Sequence, residues 1–188
     1  MTYTHLAIES KPAEVSDTSA IEELLREDYR HEEILAQSMG AHCISMLERE
    51  NNGYFKQRAL AIATDTGIDS HLLFAGGDLE ALATLDDWTK DDSALYTLGG
   101  NIVATARYAL GAFKTARRVD VITKDTRSNS TTNIAFDVIV PRDGLLYSTI
   151  PVHDTEKQRL FLRQSFQAGR TATDTADGTR KTLYVRRD

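Results

Sequence analysis

The sequence predicts an α+β fold in which an N-terminal helical segment and further helices pack on an antiparallel sheet. Apolar residues recur with a helical period in the first 50 residues, whereas apolar and polar residues alternate in the last third. The 188 residues are 41% hydrophobic and 27% charged, which is enough to bury the core of one domain. No apolar run reaches the roughly 18 residues that a membrane span needs. We therefore expect a soluble protein, made in the cytoplasm, with no contact to a membrane.

Both ends of the chain are more polar than its centre. Residues 1–18 lack sustained periodicity and are predicted to form an extended N-terminal arm. Residues 19–168 are predicted to form a single α+β domain. Residues 169–188 are predicted to be a polar linker with a strand-like C-terminal tail, which needs a sheet edge to become stable.

Helical periodicity dominates residues 19–50. Ser19 and Glu22 have the spacing of a capping box, Gly40 is expected to divide the segment into two helices, and the Asn-Asn-Gly run at 51–53 is expected to end it. The apolar positions at helical spacing are Ile21, Leu24, Leu25, Ile34, Leu35, Met39, Ile44 and Leu47.

In the centre of the chain, residues 55–64 and 71–75 are predicted to be strands. A helix is predicted over 78–88, with the Asp78 carboxylate as its N-cap. A second helix is predicted over 101–118, because the four alanines and the apolar stripe of residues 102–113 favour it over a strand.

An antiparallel meander is predicted for residues 119–152. Val119 and Val121 flank a polar residue, residues 134–140 alternate in the same way, and the Pro-Arg-Asp-Gly run at 141–144 supplies turn chemistry before the last strand.

After the meander, a helix is predicted to begin at Thr155. Thr155 and Gln158 have capping-box spacing, and Gly169 is expected to end the helix. A single cysteine, Cys43, excludes an internal disulfide.

Charge is distributed unevenly along the sequence. Residues 1–100 contain 19 acidic and 7 basic side chains, whereas residues 101–188 contain 9 acidic and 15 basic ones. The two halves could neutralise each other within one molecule, or they could attract neighbouring copies head to tail.

From this asymmetry we expect a non-enzymatic, self-assembling structural protein, such as a phage particle, shell or tube subunit. Its partners would be copies of itself or other assembly proteins, with nucleic acid as a further candidate for the basic half, and its location could be a virion. No cofactor and no metal are expected. The predicted assembly or anion contacts are Arg107, Lys114, Arg117, Arg118, Arg159, Arg163, Arg186 and Arg187.

Two other functions stay open. One is a small α+β enzyme or ligand-binding domain with a pocket between helices and sheet, where Tyr108 or His153 would face the polar candidates. The other is a subunit that contacts nucleic acid through Arg107, Lys114 and Arg118. The pocket or metal candidates are Asp65, Asp69, His71 and Asp78, for which a solvated acidic loop is the simpler explanation.

Overall fold

A seven-stranded mixed sheet with helices on both faces forms the body of the computed structural model, which describes residues 8–87, 116–124, 144–174 and 177–187. Along the sheet the strands follow the order β1-β2-β3-β4-β5-β7-β6. In chain order, the elements are β1 (Ile8–Pro12), α1 (Thr18–Ser38), α2 (Met46–Asn51), α3 (Tyr54–Thr64), β2 (Ile68–Ala75), β3 (Asp78–Asp87), β4 (Ala116–Thr123), β5 (Leu145–Pro151), α4 (Thr155–Arg163), β6 (Gln167–Thr173) and β7 (Arg180–Arg187). The predicted α+β fold, with helices packed on a multi-strand sheet, is confirmed.

One face of the sheet is covered by α1 and α3. Helix α1 buries Ile21, Leu24 and Leu25, which lie at helical spacing on one side of it. The whole cluster consists of Ile21, Leu24, Leu25, Phe55, Ala59, Ile62, Leu72, Leu79, Leu82 and Ile122.

The opposite face is covered by α4. Phe161 is fully buried there and packs edge-on against Phe166 at a centroid distance of 4.8 Å. This second cluster consists of Leu73, Ala81, Ala83, Leu85, Val119, Val121, Leu146, Ile150, Leu160, Phe161, Phe166 and Tyr184. Strands β3 and β4 contribute to both clusters, so they are central strands buried on both sides.

Two predicted elements are wrong in type. Residues 55–64 form helix α3 instead of a strand, because their alanines favour a helix and Phe55, Ala59 and Ile62 lie on one buried side of it. Residues 78–87 form strand β3 instead of a helix. Gly76 and Gly77, at φ of 61° and 93°, make the tight turn of a β2–β3 hairpin, and helix capping by Asp78 does not occur.

The N-terminal helical segment is divided as predicted. Helix α1 ends at Ser38, and Gly40 adopts a left-handed φ of 63° before α2 begins. The expected stop at residues 51–53 is also confirmed, since Gly53 at φ 65° separates α2 from α3.

The predicted antiparallel meander is wrong in its pairing, because β4 and β5 run parallel. Residues 116–118 of the predicted second helix belong to β4, while the rest of that helix and the predicted strand 134–140 lie outside the described residues. The helix predicted from Thr155 is shorter than expected. Its N-cap is Asp154, which accepts a hydrogen bond from the Lys157 backbone N–H, and it ends at Arg163.

Both predicted arms contribute strands. Residues 8–12 of the N-terminal arm pair with β2 as the edge strand β1. Residues 167–173, which include part of the predicted linker, form β6, and the predicted strand-like tail is β7, which lies between β5 and β6 instead of at an edge.

Candidate functional site

Strands β4 and β5 lie next to each other at the centre of the sheet, and there is a gap between them along part of their length. The parallel ladder joins only three residue pairs, from Ala116 with Leu145 to Arg118 with Tyr147. Among the described residues, the ladder does not continue into 119–123 of β4 or 148–151 of β5. Two neighbouring parallel strands therefore separate towards their C-terminal ends, where a ligand could reach both backbones.

A cleft of about 430 Å³ opens at this gap. Strands β4 and β5 form one wall and helices α1, α2 and α3 form the other. Its charged and hydroxyl-bearing side chains are Asp28, Tyr29, Glu32, Arg49, Tyr54, Arg58, Thr84, Arg118, Asp120, Ser148, Thr149, Lys157, Asp174, Asp177 and Lys181.

Three charged groups from three elements meet in the gap. Lys157 in the first turn of α4 places its Nζ 3.4 Å from Oδ1 of Asp120 on β4 and 3.7 Å from Oδ2 of Asp28 on α1. The side chains of Asp28 and Lys157 are 13% and 16% exposed. The Lys157 ammonium therefore contacts two carboxylates, of which Asp28 is mostly buried and Asp120 is 40% exposed.

The two carboxylates differ in acidity. Burial raises the pKa of Asp28 from 3.8 to about 6, and the nearby charges of Asp120, Asp154 and Glu32 act in the same direction, whereas Lys157 opposes them. For Asp120, burial also disfavours the charge, but nearby cations outweigh it and lower the pKa.

Lys157 remains protonated in this cluster. Burial acts to lower its pKa, but Asp120 and Asp28 outweigh burial and raise the pKa well above 10.5. Near neutral pH the gap thus holds a permanent cation, a permanent anion and Asp28, which can gain or lose a proton.

Aromatic rings and a guanidinium group line the helical wall of the cleft. The Tyr29 and Tyr54 hydroxyls are hydrogen-bonded at 2.8 Å, and their rings pack edge-on. The Arg49 guanidinium lies over the Tyr29 ring, 3.9 Å from its centroid, and 5.0 Å from that of Tyr54. Burial raises the pKa of Tyr29 well above 10, so the hydroxyl stays protonated.

A second charge cluster bounds the cleft near the β6–β7 connection. The Lys181 Nζ lies 2.8 Å from Asp174 and 2.6 Å from Asp177. His42, from the α1–α2 loop, makes a 3.1 Å hydrogen bond through Nε2 with the Asp177 carbonyl oxygen. A Cβ on Gly178 would lie only 3.0 Å from the His42 ring, so a glycine is needed for this close approach.

A buried imidazole lies beside the cleft. His153 is 1% exposed, and its Nε2 is 3.4 Å from Oε1 of Glu32 without hydrogen-bond geometry. Glu32 is one helical turn after Asp28 on α1, so both carboxylates lie on the same side of the helix. His153 is thus near the cleft, whereas Tyr108 lies outside the described residues.

The predicted assembly residues on β4 are paired within the molecule. Arg117 lies 2.6 Å from Asp69. Arg118 lies 2.5 Å from Asp86, a carboxylate that also has Arg58 at 3.6 Å. These contacts join the acidic half of the sequence to its basic half inside one fold.

The remaining predicted contact residues are dispersed. Arg159 and Arg163 are exposed on α4, Arg186 on β7 lies over the Phe166 ring at 5.2 Å, and Arg187 ends β7. Arg107 and Lys114 lie outside the described residues. Arg117 and Arg118 are consecutive residues of β4 that pair with different carboxylates, and the structure does not gather the described members of this set into one patch. Oligomerisation and nucleic-acid contact stay predictions.

Three of the four pocket candidates lie along one shallow groove, which is lined by Asp65, Asp69 and His71 and is separate from the cleft. Asp65 accepts a hydrogen bond from the Gly67 backbone N–H, and Asp69 pairs with Arg117. Asp78 is exposed at the β2–β3 hairpin instead. Across the described parts of the chain, no group of three histidine, cysteine or acidic side chains is arranged to hold a metal ion.

The residues of the gap were not singled out from the sequence. Asp28 lies in an acidic helix where nothing distinguishes it from its neighbours. One residue of the gap, Asp120, does stand out in the sequence, because it is a charged residue between two valines that are buried. Its side chain must point to the opposite face of the strand from the valines, where it can contact a polar group.

Comparison with solved structures identifies the fold. The chain is similar to a GNAT-family acetyltransferase from Streptococcus agalactiae, with 9% identity, a TM-score of 0.65 and coverage of 98% of this chain and 99% of that one. It is similar to an acetyltransferase from Thermus thermophilus, with 11% identity, a TM-score of 0.56 and coverage of 96% and 97%. It is also similar to Arabidopsis thaliana NAA60 in complex with acetyl-CoA, with 13% identity, a TM-score of 0.58 and coverage of 96% and 98%. No protein-family model and no curated protein matches the sequence.

The expectation of a non-enzymatic particle, shell or tube subunit is wrong. The fold neighbours are acetyltransferases, and opposite charges from the two halves of the sequence pair within one molecule. The virion location has no support either. These findings agree better with the alternative of a small α+β enzyme with a pocket between helices and sheet. No described helix is long and apolar enough to cross a membrane.

Proposed function

We propose that the chain is an acyltransferase that moves an acyl group from an acyl-coenzyme A thioester to an amine. The observation that carries the proposal is the gap between β4 and β5, which opens into a cleft containing Asp28. The fold supports it, because two of the similar structures compared are acetyltransferases and a third is NAA60 in complex with acetyl-CoA.

The residues of the gap fit an extended ligand with amide groups. Beyond Arg118 on β4 and Tyr147 on β5, the two strand edges face the gap without a ladder between them. Residues 119–123 and 148–151 would hold the amide-bearing arm of the coenzyme through backbone N–H and C=O groups. When bound, acetyl-CoA would supply an acyl group activated as a thioester.

Asp28 is the proposed general base. An amine acceptor is mostly protonated at neutral pH and must lose a proton to become a nucleophile. A carboxylate with a pKa of about 6 is ionised at pH 7 to 8, yet it is a much better proton acceptor than an ordinary aspartate. Lys157, held by Asp28 and Asp120, keeps positive charge in the gap, where it can stabilise negative charge that develops on an acyl oxygen.

Release of free thiol from acetyl-CoA in the presence of a panel of amines tests the proposal. We expect Asp28→Asn to lower kcat/KM by about 100-fold or more, as removal of a general base does. We also expect the rate of the wild type to fall below about pH 6, where Asp28 becomes protonated. The rate of the variant should not show this fall.

Glu23→Gln is the matched control, since Glu23 is an exposed carboxylate on the same helix and does not line the cleft. It should retain wild-type kinetics. A wild-type protein that neither binds acetyl-CoA nor transfers its acyl group to any amine contradicts the proposal. Equal activity of Asp28→Asn and the wild type contradicts the role of Asp28.

A further inference from the structure

Arg49 differs from the other cations of the cleft. Arg58 and Arg118 both lie near Asp86, Lys157 pairs with Asp28 and Asp120, and Lys181 pairs with Asp174 and Asp177. Within the described ranges, Arg49 is the one cleft cation that forms no ion pair. Its Nε is buried and has no hydrogen-bond partner.

Two tyrosines hold Arg49 in place instead of a carboxylate. The guanidinium lies over the Tyr29 ring and beside the Tyr54 ring, at 3.9 Å and 5.0 Å from their centroids. Contact of this kind covers the face of the guanidinium plane, whereas its N–H groups point outward along the edges of the plane. The tyrosines are themselves fixed by their mutual hydrogen bond and by packing on Phe55.

A partly buried guanidinium without a counter-ion is energetically unfavourable until an anion reaches it. A fixed guanidinium matches the paired oxygens of a carboxylate or phosphate. We infer that Arg49 binds an anionic oxygen group of the acceptor, so that the acceptor is a small amine that also carries a carboxylate or phosphate.

The positions of the charged groups support this assignment. Arg49 is on α2, in the helical wall, and not on β4 or β5, whose separated edges would hold the acyl donor under the proposed function, on which this inference rests. The same wall carries Asp28 and Glu32, which suit the ammonium group of a bound acceptor. The cleft therefore offers both signs of charge to a zwitterionic molecule.

Binding without any acyl donor tests the inference independently of catalysis. Isothermal titration would compare alanine with alaninamide, and phosphoethanolamine with ethanolamine. We expect the wild type to bind the anionic member of at least one pair about 10-fold or more tightly than its partner, as charged hydrogen bonds imply. Arg49→Met, which keeps the apolar stem, should reduce that preference to less than about 2-fold, and Arg49→Lys should retain only part of it.

Arg26→Met is the matched control. Arg26 also lies over an aromatic ring, 5.6 Å from the centroid of Phe55, but it pairs with Glu22 and Glu50 and does not line the cleft. This variant should keep the wild-type preference. Thermal melting of both variants shows whether each remains folded.

Three results would overturn the inference. The wild type could show no preference for either anionic compound, Arg49→Met could keep the preference, or Arg49→Met could weaken acetyl-CoA binding about 10-fold instead, which would assign Arg49 to the phosphates of the donor. If the protein transfers no acyl group but still prefers an anionic compound, and this preference depends on Arg49, then only the proposed function is overturned.

Discussion

Replacing Asp28 by asparagine should make the folded protein more stable at pH 8, although it removes the proposed general base. The reason is that Asp28 is ionised at pH 8 in a mostly buried environment that disfavours the charge. Asparagine has nearly the same shape as the protonated aspartic acid and no charge. A variant that loses activity and gains stability cannot owe its inactivity to misfolding.

The magnitude and sign follow from the pKa of Asp28. In the folded protein it is about 6, against an ordinary value of 3.8. Between these two pH values the folded state binds more protons than the unfolded state, so the free energy of unfolding falls as pH rises. Each pKa unit corresponds to about 1.4 kcal/mol. Ionised Asp28 therefore costs at most about 3 kcal/mol above pH 6 and nothing below pH 4.

Urea denaturation of the wild type and Asp28→Asn, followed by circular dichroism at pH 4 and pH 8, measures this difference. We expect the variant to be more stable by about 1 to 3 kcal/mol at pH 8 and nearly equal to the wild type at pH 4. Other titrating groups cancel because both proteins are compared at the same pH. Glu23→Gln should change neither value. An Asp28→Asn variant that is less stable than the wild type at pH 8 would refute the reasoning and make Asp28 a stabilising partner of Lys157.

Three further predictions concern the stability of the sheet and its charged rim. Ser165 adopts a φ of 66°, so Ser165→Gly should raise the free energy of unfolding by about 0.5 to 1 kcal/mol in urea titration. Phe161 is fully buried against Phe166, so Phe161→Ala should lower it by about 3 to 5 kcal/mol and lower Tm correspondingly. Lys181→Met removes the ammonium that pairs with the nearly fully buried Asp174 carboxylate and should cost about 3 kcal/mol of stability, most of which a second substitution, Asp174→Asn, should restore when both variants are unfolded in parallel.

Local sequence patterns predicted the elements whose signals are local. The division at Gly40, the strand at 71–75 and the start of α4 near Thr155 all depend on turn, capping or periodic signals within a few residues. The types of α3 and β3 are exchanged because neither segment has a long enough periodic pattern to distinguish a helix from a strand. Residues 81–86 of β3 are all buried because helices cover both sides of the sheet, and burial on both sides leaves no alternation in the sequence.

The candidate site depends on contacts between distant segments, so local patterns do not identify it. Asp28, Asp120 and Lys157 meet only because α1, β4 and α4 converge at the gap. The gap itself requires β4 and β5 to be parallel, and the sequence between them favours a hairpin turn at 141–144 that suggests the opposite pairing. Until that pairing is known, Asp120 is simply the polar residue of an alternating strand.

The charge asymmetry of the sequence and the chemistry of the cleft have one structural origin. Helix α1 from the acidic half supplies Asp28 and Glu32, whereas β4 and α4 from the basic half supply Arg118 and Lys157. These segments converge at the gap, so opposite charges that suggested attraction between copies instead meet within one molecule, as Lys157 and Asp28 do at 3.7 Å. These charged groups come from segments far apart in the sequence and meet only when the chain folds. The raised pKa of Asp28, on which its proposed role as a base depends, therefore exists only in the folded chain.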